Sequence, residues 1–162
     1  MPVCTCVMVR GVDAIDRRLL DLLRGNGRLS YAELARQVGL SAPAVHERVG
    51  KLESSGVIQG YSATVQPEAI GLGVTAIIGI VQDSTGDTDE IQKALHDFPE
   101  VESCYFMAGE EAFLLNVRVA TIAELERVIV QLNRTPGIAR TRTAIALSTK
   151  WEGRHQALGE GV

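Results

Sequence analysis

From Asp13 to Gly56 the apolar positions recur at helical spacing in three successive blocks. In the first, Ile15, Leu19, Leu22 and Leu23 fall on one stripe, with Asp13 and Asp16 in a first turn where the helix dipole favours acids. Gly25 and Gly27 end it around Asn26. In the second block Ser30 and Glu33 have the spacing of a capping box, and Tyr31, Leu34, Ala35 and Val38 follow on one face. Gly39 is placed to end this helix in a left-handed conformation, Leu40 is the apolar residue of the turn, and Ser41 is an N-cap for the third helix. Pro43 sits in that helix's first turn, where its missing N–H costs nothing. Val45, Val49 and Leu52 then share the inner face. Pro43, Glu47, Gly50, Lys51 and Ser54 point outward, flanked by Ala44 and His46.

After Gly56 the pattern changes to short β-prone runs, Val57 to Val65, that predict a wing or a linking strand and stop at Gln66-Pro67. Val74 to Val81 is apolar on both faces, as a central strand would be. Ile91, Ala94, Leu95 and Phe98 make a helical stripe opened by Asp87 or Thr88 and closed before Pro99. Val101 to Met107 predicts a strand, with Gly109 and Glu110 at a hairpin tip. Ala112 to Val119 predicts the next, in which Phe113, Leu115, Val117 and Val119 alternate. Thr121 and Glu124 repeat the capping-box spacing before Ile122, Leu125, Ile129 and Leu132; Pro136-Gly137 ends that helix and Ile138 to Leu147 is the fourth strand.

A capped support helix, a glycine turn and a second helix with a small, polar outer face are what a helix-turn-helix needs to enter the DNA major groove. The bland alternative is a helical hairpin buried in a core, and the flanking segments decide against it. The order βαββαβ is that of the ferredoxin-like split unit, whose two helices cover one face of a four-stranded antiparallel sheet. The predicted fold is therefore α+β, an N-terminal winged helix-turn-helix domain followed by a ferredoxin-like α/β sandwich. The expected divisions are an extension over 1–10, the DNA-binding domain over 11–60, a linking strand and hinge over 61–73, the sandwich over 74–150, and a tail over 151–162. Ile77, Ile78, Ile80, Val81, Tyr105 and Phe106 offer apolar groups to both faces of the sheet. The uncovered face is thus expected to meet a second copy, and a twofold dimer would read palindromic half-sites.

The 162 residues suffice for two small domains, and 46% hydrophobic content suffices for real cores. There is neither an apolar run long enough to span a bilayer nor a signal-peptide core, so a cytoplasmic protein is expected. The net charge of −4 argues at first against a nucleic-acid partner. Its distribution changes that view. Residues 1–62 hold eight Lys and Arg against six Asp and Glu, a balance of +2, while residues 63–162 hold eight against fourteen, a balance of −6. Phosphate contact needs a local cationic surface rather than a basic whole protein. Cys4, Cys6 and Cys104 lack paired metal spacing; Cys4-x-Cys6 could chelate a metal but reads as incidental, so no metal and no cofactor is expected, and Cys104 reads as a small core hydrophobe.

Short motifs in fixed order resemble one family across nearly the whole chain. Val12-Asp13-Ala14-Ile15-Asp16-Arg17, Gly27-Arg28-Leu29-Ser30, Glu33-Leu34-Ala35, Val38-Gly39-Leu40-Ser41, Glu47-Arg48-Val49, Leu52-Glu53 and Gly56-Val57-Ile58-Gln59-Gly60-Tyr61 resemble the headpiece of Lrp/AsnC regulators. Pro99-Glu100-Val101, Gly109, Leu114-Leu115, Pro136-Gly137-Ile138 and Thr141-Arg142-Thr143 are similar to that family's RAM domain. The resemblance implies a bacterial or archaeal transcription regulator of amino-acid metabolism genes, bound to double-stranded DNA and to a small effector, usually an amino acid. It also implies dimers that assemble further, often to octamers, with effector sites at contacts between dimers. The chain departs from the family at Ala112-Phe113, where many members carry Asp-Tyr, which leaves Glu110 or Glu111 to supply the carboxylate.

For DNA, Ser41, Ala42, Pro43 and Ala44 permit close approach, while His46, Glu47 and Lys51 reach bases or phosphates. Arg28, Ser30 and Arg36 are further candidates, and Arg48, nearer the core edge, fits a structural ion pair better than a DNA contact. For an amino acid, backbone N–H groups from Met107 through Ala108, Gly109, Glu110 and Glu111 to Ala112 would meet its carboxylate. Glu110 or Glu111 would meet its ammonium, and Thr141 and Thr143 are polar neighbours. An enzyme is poorly supported, because His46, His96 and His155 have no nucleophile beside them in an interpretable pattern and there is no Gly-rich phosphate loop. An amino-acid-binding oligomeric sensor that does not read DNA is the other alternative.

Overall fold

The structure, a computed structural model, describes residues 11–154 and residue 156. Cys4, Cys6, His155 and the expected extension over 1–10 lie outside the described residues. Two compact units divide between Ala63 and Thr64, inside the expected hinge: one runs to Ala63 and takes in residues from Trp151 onward, the other is Thr64–Lys150.

The first unit is built from α1 (Ala14–Gly25), α2 (Tyr31–Val38) and α3 (Ala42–Ser54). Each begins where a side chain satisfies its orphan N–H groups. Asp13 and Ser30 form full capping boxes with Asp16 and Glu33, and Ser41 accepts from the Ala44 N–H. Gly39 ends α2 with φ 71°, a backbone that side chains disfavour, and so allows the sharp turn into α3. Leu19, Leu34, Ala35, Val45 and Val49 are buried together, with Ile15, Leu22, Leu40 and Ile58 packed against them. Tyr31, expected on the inner stripe, instead projects at the rim, 39% exposed. The wing or linking strand expected over 57–65 takes no strand structure. Its backbone is anchored where the Ile58 N–H donates to the Leu52 carbonyl at 3.0 Å.

In the second unit a short 3₁₀ turn, Pro67–Ile70, precedes β1 (Val74–Gln82), α4 (Thr88–His96), β2 (Val101–Phe106), β3 (Phe113–Val119), α5 (Ile122–Arg134) and β4 (Ile138–Ile145). The strand order is β2-β3-β1-β4, with every neighbouring pair antiparallel. This is the ferredoxin-like arrangement that the element order predicts. Asp87 caps α4, accepting from the N–H groups of Asp89 and Glu90. Thr121 caps α5, but the Glu124 carboxylate reaches one residue further back than a capping box requires and accepts from the Ala120 N–H.

Strand alternation sends Ala76, Ile78 and Ile80 of β1 and Phe113, Leu115, Val117 and Val119 of β3 to the helix side, against Ile91, Leu95, Leu125, Val128 and Leu132. Ile77, Tyr105 and Leu114 lie on the other face, where Ile77 and Tyr105 stay exposed. Cys104 and Phe106 are paired with Leu115 and Phe113 and so share the helix side. Neither is core. Strand β2 is an edge strand, and a groove left between it and α4 exposes Cys104 and leaves Phe106 70% accessible. Cys104 is thus an exposed thiol whose pKa desolvation still raises, which makes it a poor nucleophile.

Leu115 is wholly buried, whereas Leu147 is fully exposed. Leu115→Ala is expected to lower stability by about 2–5 kcal/mol and Leu147→Ala by less than about 0.5 kcal/mol. Chemical denaturation at one fixed protein concentration measures both.

Candidate nucleic-acid interface and effector site

Helix α3 offers an inner face of Val45, Val49 and Leu52, all buried, and an outer face of Pro43, His46, Glu47 and Lys51, all exposed. Ala42 and Ala44 are half-buried on its flanks, which keeps the start of the helix slender. The sequence does not show how this face is braced. The His46 ring meets the Tyr31 ring edge-on, with centroids 4.8 Å apart, and so joins α3 to the start of α2. One turn along, Lys51 Nζ donates to Glu47 Oε1 at 2.7 Å between two side chains that are each about 70% exposed. That lysine holds the Glu47 carboxyl below its ordinary range.

Arg48 has a different role. Its Nη1 donates to Asp13 Oδ2 at 2.6 Å and to Asp16 Oδ1 at 2.8 Å, tying α3 to the start of α1. Asp16 is the buried charged residue of the described chain, so this pair satisfies a carboxylate that could not otherwise be desolvated cheaply. The guanidinium therefore fixes the rotation of α3. Ser30 is likewise engaged within the unit, its hydroxyl donating to Glu33 Oε2 at 2.7 Å and accepting from the Glu33 N–H. Arg28 and Arg36 are exposed. Tyr61 closes the unit: its hydroxyl donates to Glu53 Oε1 at 2.8 Å, and its ring covers Gly27, where a Cβ would come within 3.2 Å of it. Burial, and then Glu53, push the Tyr61 phenol up to about 12.

In the second unit, Met107 to Ala112 form the turn between β2 and β3, closed by the Met107 N–H on the Ala112 carbonyl at 2.9 Å and tied to β1 by the Ala112 N–H on the Ile80 carbonyl at 2.8 Å. A side chain at Gly109 would meet nothing, so the turn is open to approach there. Glu110 and Glu111 are already paired. Arg142 Nη1 lies 3.1 Å from Glu110 and 3.0 Å from Glu111, and Arg140 also donates to Glu110. Thr141 and Thr143 stand opposite Ile80 and Ile78, on the helix side of β4, and Thr141 accepts from Asn133 Nδ2 at 3.1 Å. The two threonines and the two glutamates thus face opposite sides of the sheet. The arginines at 140 and 142 are what sequence reading missed. Their alternation with the threonines carried the signal, but only pairing with β1 shows which set faces the turn.

Residues 12–53 match the AsnC-type helix-turn-helix domain, and residues 75–155 match the Lrp/AsnC ligand binding domain. The chain belongs to the Lrp/AsnC family. It is 42% identical over 147 residues to the HTH-type transcriptional regulator LrpA of Mycobacterium tuberculosis, covering 91% of this chain and 97% of that one. It is 34% identical over 137 residues to the regulatory protein AsnC of Escherichia coli K12, covering 84% and 90%. Among solved structures, the feast or famine regulatory protein of M. tuberculosis complexed with L-methionine aligns with a TM-score of 0.85 at 41% identity, covering 91% and 99%. In this Lrp/AsnC chain, no cluster of three metal-ligating side chains occurs among the described residues, and no described helix is long and apolar enough to cross a membrane.

The hydrogen bonds that Asp13 accepts at the start of α1 make headpiece stability sensitive to acid. The N–H of Asp16, and then Arg48, hold the Asp13 carboxyl below its ordinary value of 3.8. Its contribution is therefore complete above that value and is lost as pH falls through the lower folded-state value. Thermal melts between pH 6 and pH 3 are expected to show the Asp13→Asn variant less stable at pH 6 and with a shallower acid limb.

Proposed function

We propose that this protein is a sequence-specific transcription regulator whose α3 lies in the major groove of double-stranded DNA. The observation that carries this reading is that α3 buries one stripe and leaves a small, polar face open to solvent. Ser41, Ala42, Pro43 and Ala44 allow the helix start to approach base edges. His46, Glu47 and Lys51 are the reading groups. Glu47 suits a cytosine amino group, and Lys51 suits guanine or phosphate. Arg28 and Arg36 contact phosphates at the periphery. A homodimer formed through the uncovered sheet face presents two headpieces to a palindromic operator, and dimers assemble further to an octamer. The effector is an amino acid, bound around Met107 to Ala112; the methionine complex of the M. tuberculosis relative supports that class of ligand. The protein acts in the cytoplasm, on genes of amino-acid metabolism, by binding rather than by catalysis.

DNA from the region upstream of the protein's own gene, titrated in fluorescence anisotropy across a salt series, tests the DNA half. Lys51→Ala is expected to weaken binding and to lower the slope of log K against log salt by about 1. Retention of both affinity and slope would take Lys51 out of the interface, and failure of the native protein to bind any such DNA at low salt would reject the reading.

A further inference from the structure

Gly50 is a cost to the headpiece that the free protein does not explain. It lies inside α3, half-buried on the flank of the outer face, where a glycine weakens a helix by leaving the unfolded chain more freedom. The usual reasons for a glycine are absent. Its φ is not positive, and a Cβ built on it would meet nothing within 4 Å among the described residues. Gly39, by contrast, has a left-handed backbone, and Gly27 lies under the Tyr61 ring. The gap at Gly50 is also kept open. Its neighbours on the helix surface are residues 46, 47, 53 and 54, three or four positions away, and each side chain is engaged elsewhere. The His46 ring meets Tyr31, Glu47 accepts from Lys51 Nζ, Glu53 accepts from the Tyr61 hydroxyl, and the Ser54 hydroxyl donates to the Lys51 carbonyl at 3.1 Å. What remains is a notch the size of a methyl group. Its floor is mid-helix backbone, whose N–H and C=O groups are bonded within the helix, so the notch offers a ligand neither donor nor acceptor.

We infer that this notch receives the C5-methyl group of one thymine in the operator, which makes Gly50 a specificity-determining residue. The inference rests on the proposed reading of α3 as the helix in the major groove. Among the groups that base pairs present there, the thymine methyl is the one that neither donates nor accepts a hydrogen bond, so it matches a notch without polar groups. The groove is about 12 Å wide and a helix with its side chains about 10–12 Å across, so an added methyl on the inserted face has little room. An alanine Cβ at 50 would occupy the volume that the thymine methyl fills. A cytosine at the same position carries no methyl and leaves the notch empty. Gly50 thus selects thymine by the space it leaves, beside His46 and Glu47, which select by hydrogen bonds.

Anisotropy titrations of the full-length protein with its own upstream DNA, prepared with thymine or with uracil throughout, test this, because uracil differs from thymine only by that methyl. Gly50→Ala is expected to raise the melting temperature by about 2–5 °C and yet to weaken binding to thymine DNA about tenfold. Native protein loses about fourfold from this one methyl when uracil replaces thymine. In Gly50→Ala the protein's own methyl takes the place, so its ratio of uracil to thymine affinity is expected to be about tenfold or more above that of native protein. Other thymines contribute equally to both proteins and cancel in that comparison. A duplex of shuffled sequence, held through its phosphates, is expected to bind both proteins alike within about twofold. The notch is overturned, and the DNA reading left standing, by a Gly50→Ala variant that melts no higher than native protein, keeps its affinity for the upstream DNA, weakens equally on the shuffled duplex, or responds to uracil as native protein does. Failure of native protein to prefer its upstream DNA over the shuffled duplex overturns both together.

Discussion

Helix α3 has to be held on one side and free on the other, and three side chains carry that division. Val45, Val49 and Leu52 are between 0% and 5% exposed, and their burial accounts for most of what keeps the helix in place. Three apolar anchors on so narrow a stripe leave rotation about the helix axis loosely specified. Arg48 supplies the missing constraint. It stands at the edge of the stripe and is gripped by two carboxylates at the start of α1, one of them buried. A pair with a buried member adds little net stability, but it penalises every arrangement in which that carboxylate loses its partner. Rotating α3 toward or away from α1 would do so. The face aimed at solvent is therefore set by a residue that does not belong to it.

The second unit meets an equivalent demand through strand register. Because alternate residues of a strand face opposite ways, a slip of one position along β1 would bring Gly79 under the helices and put Ile78 and Ile80 on the uncovered face. The buried isoleucines make that costly. In fixing their own positions they also fix Gly79 beside Arg142, and hence the path by which Glu111 crosses the strand. Core and ion cluster are two consequences of one register.

The elements were legible in the sequence because each carries its own local signal. Three helices of the first unit follow from stripes and caps; Ser30 and Ser41 cap as their spacing predicts, whereas Asp13, expected inside the first turn, is itself the cap of α1. The strand order follows from the sequence of elements, since few connections suit that alternation. What could not be read are properties that depend on a neighbour far along the chain. Cys104 has the pattern of a core residue and would be one if α4 extended over β2. Thr141 and Thr143 are placed on one face of their strand by alternation, but which face depends on pairing with β1. Residues 57–65 have strand propensity without a partner in the unit, and propensity alone does not make a strand. The pairing of Glu110 and Glu111 with arginines some 30 positions away shows in the sequence only as the alternation of Arg140 and Arg142 with the threonines, which does not name the partner.

The charge pattern of α3 also bears on how it would discriminate among DNA sequences. Glu47 and Lys51 are paired on the exposed face, one helical turn apart. Against a phosphate backbone the lysine is attracted and the glutamate repelled, so a helix carrying both gains little from non-specific contact. The pair is open to solvent, and separating it costs little. Glutamate becomes favourable only where an amino group on a base edge can donate to it. A wrong base at that position leaves the carboxylate desolvated and unpaired, which costs more than the right base gains. With the positive balance of residues 1–62 as small as +2, such a face would draw its affinity from matched bases rather than from charge. On the proposed reading Glu47 would then act chiefly by exclusion, and its removal would loosen selectivity more than it would weaken binding.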